Sequence, residues 1–498
     1  LDTAERSQGT DRGRCCWWEA FQDAGDLKRT KLGFFFFIFW LLILLVVAGH
    51  GFLVLDVFFT FQGYFLQFLV IPMLICVGFW VSCKMGWIHI LKLPVALKCL
   101  FVPAKGCRKN ISSFSAFSAI LGGNLGVGNL SGTAIALATG GPGSIVWMIL
   151  IILFTASIKY VTCYLSLVYR TKRGTRFIGG PMYFLRDGLK SKVLSLLFCI
   201  GLICTATIGG GLVQVNSLAL PMDYLHIPRI YGGLVFTVLV ALVTFGRLRV
   251  FTQVVSFIVP FMAIGYLAVS LYILVLHADR IPNALSLMLT SIWSRTDIQG
   301  GIVGFAWAQF LTTMQMGISR GIFASDIGFG LEGILHANVK QEEGHKLPLE
   351  IEQGLIGVIS PFIVLLVCFV TALVLMVTGV AWGPFESTNM CFEAFKVGAE
   401  SDAVGYSLIV VLFCFAFTTV LTWSFCAQCA LEYLTNYSTK ALKLWKIFFV
   451  LVLPLGALSE VYFLWRIVDF TSAVMLVTNL IGMVFLAGGV VHETNNSV

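Results

Sequence analysis

Residues 120–133 read ILGGNLGVGNLSGT, with five glycines, two asparagines, a serine and a threonine in 14 positions. On both sides the sequence is apolar enough for a membrane helix, and a helix that crosses lipid has no use for so many breakers. The whole chain of 498 residues is 58% hydrophobic and only 12% charged, about half the charge of a soluble domain, which runs near ~25%. Apolar runs of roughly 20 residues, enough to cross about 30 Å of hydrocarbon as a helix, recur from end to end. The class is therefore an all-α polytopic membrane protein, and no polar segment is long enough for a separate soluble domain.

Working outward from that stretch, spans are expected at 64–83, 112–139, 144–169, 195–221, 230–246, 252–277, 298–324, 353–380, 404–431, 446–461 and 467–490, eleven in all. A further run, GFFFFIFWLLILLVVAG at 33–49, follows Lys28, Arg29 and Lys31. It reads as a signal anchor or an extra span with the N-terminus inside, or as a signal peptide, although no small-x-small cleavage site follows. Residues 1–52 are thus an N-terminal extension, 53–491 the transmembrane domain and 492–498 a short tail. Basic residues fall in alternate loops: Lys84 to Lys109, then Arg170 to Lys192, Arg247 and Arg249, Lys340 and Lys346, Lys440 and Lys443. With eleven spans all of these share one side, which the positive-inside rule makes cytoplasmic. The fourteen cysteines are scattered through apolar segments without metal or disulfide spacing, and read as small packing residues. No basic stripe interleaved with aromatics points to nucleic acid.

A glycine-rich interruption of a span has three readings. Gly122–Gly126 and Gly128–Gly132 have the G-x-x-x-G spacing of close helix packing. GVGNLSG superficially matches a dinucleotide loop, but that loop needs a preceding strand and a βαβ unit. The third reading is an unwound segment lining a cavity, with backbone free to meet an ion or ligand. A second interruption decides among them. MGISRGIFASDIGFG at 316–330 breaks another span with four glycines, two serines, an arginine and an aspartate. The first break opens a block of five spans, 112–277, and the second opens another, 298–490. Paired broken helices at matching places in two halves point to a secondary transporter built from inverted repeats, with its site at mid-membrane. Asn129, Ser131 and Thr133 supply neutral oxygens suited to Na⁺ or a zwitterion.

The same residues carry a resemblance. GVGNLSGTAIALATGGPGSIVWM (126–148) resembles the alanine/glycine:cation symporter family, as do KYVTCYLSLVYR (159–170), GGPMYFL (179–185), LVQVNSLA (212–219), RGIFASDIGFG (320–330), FAFTTVLTWSF (415–425) and DFTSAVMLVTNL (469–480). The similarity runs from about residue 53 to 491. It implies eleven helices, ten of them in the five-plus-five inverted repeat of the LeuT type, in the cell inner membrane. It also implies import of alanine, glycine or a similar small amino acid driven by Na⁺ or H⁺, with no organic cofactor. By position, Gly126, Gly128 and Asn129 match the core that holds substrate carboxylate and ion, and Gln214 matches a substrate contact beside Asn216. Phe323 would wall the pocket and Trp423 would cap its side-chain end. The resemblance assigns Na⁺ to the hydroxyls of Thr418 and Thr419 with the carbonyls of Gly122 and Leu125. The chain departs from the family pattern at Val127, where threonine is usual, and at Thr162, Asp326 and Gln428, where glutamate is usual. These departures weaken the transfer of ion identity and substrate range, and leave open a diverged transporter for another small substrate.

Plainer roles compete for several of these residues. Gln214 could bond a neighbouring helix, and Thr418 and Thr419 could bond back to their own helix carbonyls. Lys159 and Asp469 are ionisable types at membrane depth and so functional by default, although Lys159 could snorkel from the end of its helix. His336 and His345 read as solvated in a cytoplasmic segment. A channel would want a continuous polar pore and symmetric subunits, which two unlike breaks in one chain do not suggest. An enzyme would need a nucleophile–base or metal cluster within the spans, and none has the spacing.

Overall fold

The computed structural model describes residues 53–101, 112–174, 176–246, 248–292, 303–340 and 347–497. The expected segment 33–49 and His345 lie outside them. Among the described residues, helices or helix pairs stand where the hydropathy places each of the eleven expected spans. The leading span consists of α1 (Leu53–Phe65) and α2 (Ile71–Lys84), joined by a π-helical turn at Leu66–Val70, and is followed by the short α3 (Ile88–Leu91) and α4 (Leu93–Leu100).

The first half of the repeat begins with a helix in two pieces, α5 (Ser113–Asn124) and α6 (Gly128–Gly140). Ser112 caps α5 by accepting from the Ser115 N–H at 3.1 Å. The second span is α7 (Gly143–Thr155) and α8 (Ser157–Val168). A two-stranded hairpin, β1 (Thr171–Arg173) and β2 (Arg176–Ile178), and the short α9 (Pro181–Asp187) follow. The third span is α10 (Lys192–Thr207), a π turn at Ile208–Leu212, and α11 (Val213–Ala219). Then come α12 (Arg229–Thr244) and α13 (Leu248–Leu276), the latter with Pro260 inside it.

The second half repeats the plan. Its broken helix is α15 (Val303–Ser325) and α16 (Leu331–His336), preceded by the short α14 (Ile281–Thr290). The next span is α17 (Leu349–Gly357) and α18 (Ile359–Val377). A short helix, α19 (Ser387–Gly398), again lies between second and third spans, as α9 does in the first half. The last three spans are α20 (Asp402–Leu434), α21 (Thr439–Val452) and α22 (Val461–Ser497).

Among the described residues eight helical stretches are long and apolar enough to cross a membrane. The other three crossings explain themselves: α5–α6 is cut in two, α12 has 16 residues, and α15 has 23 but is rich in Gln, Thr and Ser. The first broken helix packs against the second, and is enclosed by α13, α18, α19 and α20.

The loops of the basic side meet one another. Arg170 Nη1 donates to the Val339 carbonyl at 2.8 Å, and the Arg173 guanidinium lies 3.4 Å over the Tyr437 ring. The loops after α8, α16 and α20 therefore share one face. His336 does not face solvent as its segment suggests. It is fully buried and pairs with Gln353 Oε1 at 2.6 Å, while Gln353 Nε2 donates to Ser113 Oγ at 2.8 Å. The half-helix α16 packs against α8 and α5 instead of emerging from the bundle.

Candidate functional site

The first break spans Leu125 to Val127. Leu125 leaves the helix at φ −82°, ψ 67°, and its N–H still bonds the Leu121 carbonyl at 2.7 Å. Across the break Gln214 Oε1 accepts from the Val127 N–H at 3.1 Å, and Gln214 Nε2 donates to the Gly209 carbonyl at 3.1 Å. One amide thus joins two irregular backbones, the break and the π turn of the third span, whose freed groups need partners inside lipid. A methyl built on Gly126 would lie 2.8 Å from Thr419 Oγ1 and 3.0 Å from Gln214 Oε1, so this backbone passes close to both side chains.

Gly128 begins α6. A methyl there would lie 2.9 Å from Phe323 Cε1 and 3.7 Å from Trp465 Cη2. Phe323 and Trp465 meet edge to face at 4.7 Å between centroids. Gly209 closes the opposite side of Phe323, 3.3 Å from the ring for an added methyl. Asn129 is buried; its Nδ2 donates to the Asn124 carbonyl at 2.9 Å, and its Oδ1 has no protein partner. The Ser131 hydroxyl, two residues on, is likewise buried and unpaired.

Of the residues assigned to Na⁺, Thr419 reaches the break: its Oγ1 donates to the Gly122 carbonyl at 2.9 Å. The neighbouring Thr422 does the same to the Ala119 carbonyl at 3.0 Å, so the two hydroxyls pin α20 along the last turns of α5. Thr418 turns elsewhere. Its hydroxyl bonds the Cys414 and Phe415 carbonyls of its own helix at 3.0 and 3.3 Å, with Met262 Sδ at 3.6 Å. Trp423 packs on Gly210 and meets Phe329 at 6.1 Å, and Phe329 meets Phe323 at 6.5 Å. The structure therefore gathers Gly122, Gly126, Gly128, Asn129, Gln214, Phe323 and Thr419 around the first break. Trp423 stands one ring back, and the Thr418 hydroxyl is spent within its helix. Asn216 serves the scaffold, donating to the Gly456 and Ser459 carbonyls at 3.0 and 2.7 Å.

The sequence marks Asp469 only as an ionisable residue at membrane depth, and it does not single out Trp465. Trp465 completes the aromatic wall, and the Arg320 guanidinium lies 4.4 Å over its ring. Arg320 also pairs with Asp469 at 2.6 Å, in an ion pair only 6% and 13% exposed. Trp465 and Asp469 are four residues apart, one turn along α22, and that spacing was the available signal. The π turn was foreshadowed by three consecutive glycines at 209–211. Lys159 does not snorkel. It is fully buried within the network around Asn124.

A nearly all-helical bundle of two like halves, each opened by a broken helix and joined at those breaks, defines a membrane transporter. The profile of the sodium:alanine symporter family matches residues 52–497, and the chain belongs to that family. A sodium/alanine symporter, AgcS, of Methanococcus maripaludis is 31% identical over 436 residues, covering 85% of this chain and 93% of that protein. An uncharacterized transporter of Haemophilus influenzae is 33% identical over 426 residues, covering 84% of this chain and 91% of its own. The crystal structure of MhsT in complex with L-phenylalanine overlays with a TM-score of 0.53 at 12% identity, covering 77% of this chain and 91% of that one, which shows a shared LeuT-type fold. The protein is an integral membrane transporter of the Na⁺-coupled amino-acid symport class.

Proposed function

We propose that the protein imports a small neutral amino acid, alanine or glycine, together with Na⁺, by alternating access to a site at the first break. The observation that carries this reading is the near contact between Gly128 and the Phe323 ring, where even a methyl would lie 2.9 Å from the ring edge. A wall of Phe323 and Trp465 this close to the backbone favours a small side chain over a large one. The polar end fits the same substrate. The N-terminus of the 13-residue α6 turns the positive end of a helix dipole toward a carboxylate. The buried Asn129 Oδ1 and Ser131 Oγ lack protein partners, and buried polar atoms are rarely left unpaired.

Na⁺ would sit beside the substrate at the end of α5, where Thr419 Oγ1 and the Gly122 carbonyl lie 2.9 Å apart. Leu125 would add its carbonyl, since it has left the helical ladder. Thr418 would join only by turning its hydroxyl away from its own helix. The membrane would be the cell inner membrane, with the basic loops cytoplasmic, and the N-terminus too if residues 33–49 form a span.

Purified protein in liposomes tests the reading, with labelled alanine and glycine and with Na⁺ and pH gradients imposed separately. Concentrative uptake of either amino acid on the Na⁺ gradient alone is expected. Uptake on the pH gradient alone would replace Na⁺ by H⁺, and passive, gradient-independent flux of ions would make the protein a channel instead.

A further inference from the structure

Away from the substrate wall, four elements meet at one buried point, and they are symmetry mates in pairs. Asn124 ends the first half of the first broken helix, and Asp326 begins the break of the second. Lys159 comes from the span after the first broken helix, and Ser360 from the span after the second. Lys159 has no exposed surface, and its Nζ donates to Ser360 Oγ at 3.2 Å. With the Asn124 amide oriented as its neighbours require, its oxygen accepts from Lys159 Nζ at 2.6 Å and its nitrogen donates to Asp326 Oδ2 at 2.8 Å. The two breaks, about 200 residues apart in sequence, are thus joined through one amide and one ammonium.

Two further observations mark this point. Asp326 holds φ at 51°, a left-handed conformation that is costly for a residue with a Cβ and persists only where the surroundings impose it. Glu332, on α16, is fully buried, and neither carboxylate oxygen has a hydrogen-bonding partner. Lys159 is the cation whose charge acts on both Asp326 and Glu332; Cys163, His336 and Cys426 are the other titratable groups within reach. Taking a cation and two carboxylates out of water costs more than ordinary packing returns, so a role in stability alone is a weak account of the cluster.

We propose that Lys159 is a tethered cation that clamps the two broken helices at their breaks, so that both halves of the site move as one body during transport. The ammonium does there what a monovalent ion among oxygen ligands would do, but it stays on its span and is not carried across. Lys159 is on this account a positioning residue, and the inference rests on the transport reading above.

The test uses the full-length protein in liposomes, with alanine uptake measured against substrate concentration on a fixed Na⁺ gradient. Lys159→Met is expected to lower the maximal rate about tenfold or more while the alanine KM moves less than about threefold, because the clamp acts on turnover and not on substrate contacts. Lys159→Met/Asp326→Asn removes the cation and the carboxylate joined to it through Asn124, and leaves Glu332. It is expected to restore the yield of monodisperse protein but not the rate. Ser360→Ala, a mild change that removes one acceptor, should lower the rate several-fold at unchanged KM. A Lys159→Met rate within about twofold of wild type overturns the clamp. So does a wild-type rate in the double variant, which would make Lys159 a mere neutraliser of Asp326. If Lys159→Met does not fold, the double variant and Ser360→Ala decide by the same criteria. Absence of alanine uptake by the wild-type protein would instead sink the transport reading itself.

Discussion

The two broken helices touch, yet they are broken in different ways. At the first break no glycine has a left-handed backbone; Gly122, Gly126 and Gly128 are glycines because neighbours stand where a Cβ would be. Gly122 faces Val255 and Val259, Gly126 faces Thr419 and Gln214, and Gly128 faces Phe323. At the second break the chain turns through Asp326 at φ 51°, Gly328 at 84° and Gly330 at 81°. The first interruption is made by crowding and held by the Gln214 amide, so its backbone stays close to ordinary geometry and open to a ligand. The second is made by backbone handedness and held by Asn124. One break is built for contact and the other for shape, which suits a site in which one half binds and the other walls.

The sharpest way to break this comparison is Gly330→Ala. The substitution forces a side chain into a left-handed backbone, at about 1–3 kcal/mol, and also drives it into Pro181. Loss of monodisperse protein, or a fall in melting temperature larger than for any change at the first break, is expected. A Gly330→Ala protein that melts with the wild type would show that the second break is also a matter of space.

Gly128→Ala should do the reverse, sparing the fold and stopping transport. Helix propensity favours alanine over glycine by about 1 kcal/mol, and the backbone at this position is not left-handed. The methyl instead meets Phe323 at 2.9 Å, an overpacking that costs about 1–3 kcal/mol where the ring cannot give. A stable protein with uptake reduced by about tenfold or more is expected, and Gly128→Ala/Phe323→Leu should recover part of it. Normal uptake by Gly128→Ala would turn the first break into a packing face.

Much of this contrast was hidden in the sequence. The eleven spans were legible because hydrophobic length and loop charge are local. The first break was legible too, because glycine and asparagine crowd into a few residues. The second was placed too broadly at 316–330. Gly317 and Gly321 lie within a continuous helix that runs to Ser325, and they are small because Ser144, Trp147 and Ile151 press on them. A sequence shows that a glycine is present, not whether it is there for space or for φ. The Lys159 network was illegible for another reason: its partners Ser360 and Asp326 come from the other half of the chain, and only the tertiary fold brings them together.

Gln214→Leu sharpens the role of the amide at the first break. It leaves the Val127 N–H and the Gly209 carbonyl without their partner. An orphaned buried group costs about 1–3 kcal/mol, or roughly ten- to a hundredfold if the loss falls on substrate affinity. A raised alanine KM in a folded protein is the expected result. An unchanged KM with lowered stability would make Gln214 an inter-helix brace only.

The smallest expected effect separates two adjacent hydroxyls. Thr419 Oγ1 meets the Gly122 carbonyl at the break, whereas Thr418 Oγ1 is satisfied by Cys414 and Phe415 on its own helix. If the ion lies where α20 meets α5, Thr419→Val removes a ligand and Thr418→Val removes only a back-bond. A hydrogen-bonding or ligand contact to a charge is worth about 1.5–3 kcal/mol, so Thr419→Val should raise the Na⁺ concentration for half-maximal uptake by about tenfold or more. Thr418→Val should move it by less than about twofold, since back-bonding of this kind adds little to a membrane helix. The measurement is uptake at saturating alanine over a Na⁺ series, with choline holding ionic strength constant. Equal, large shifts for both variants would mean that Thr418 turns its hydroxyl toward the ion during transport. If neither variant shifts the curve, the ion is bound elsewhere, and the contact between Thr419 and Gly122 is a helix-packing bond.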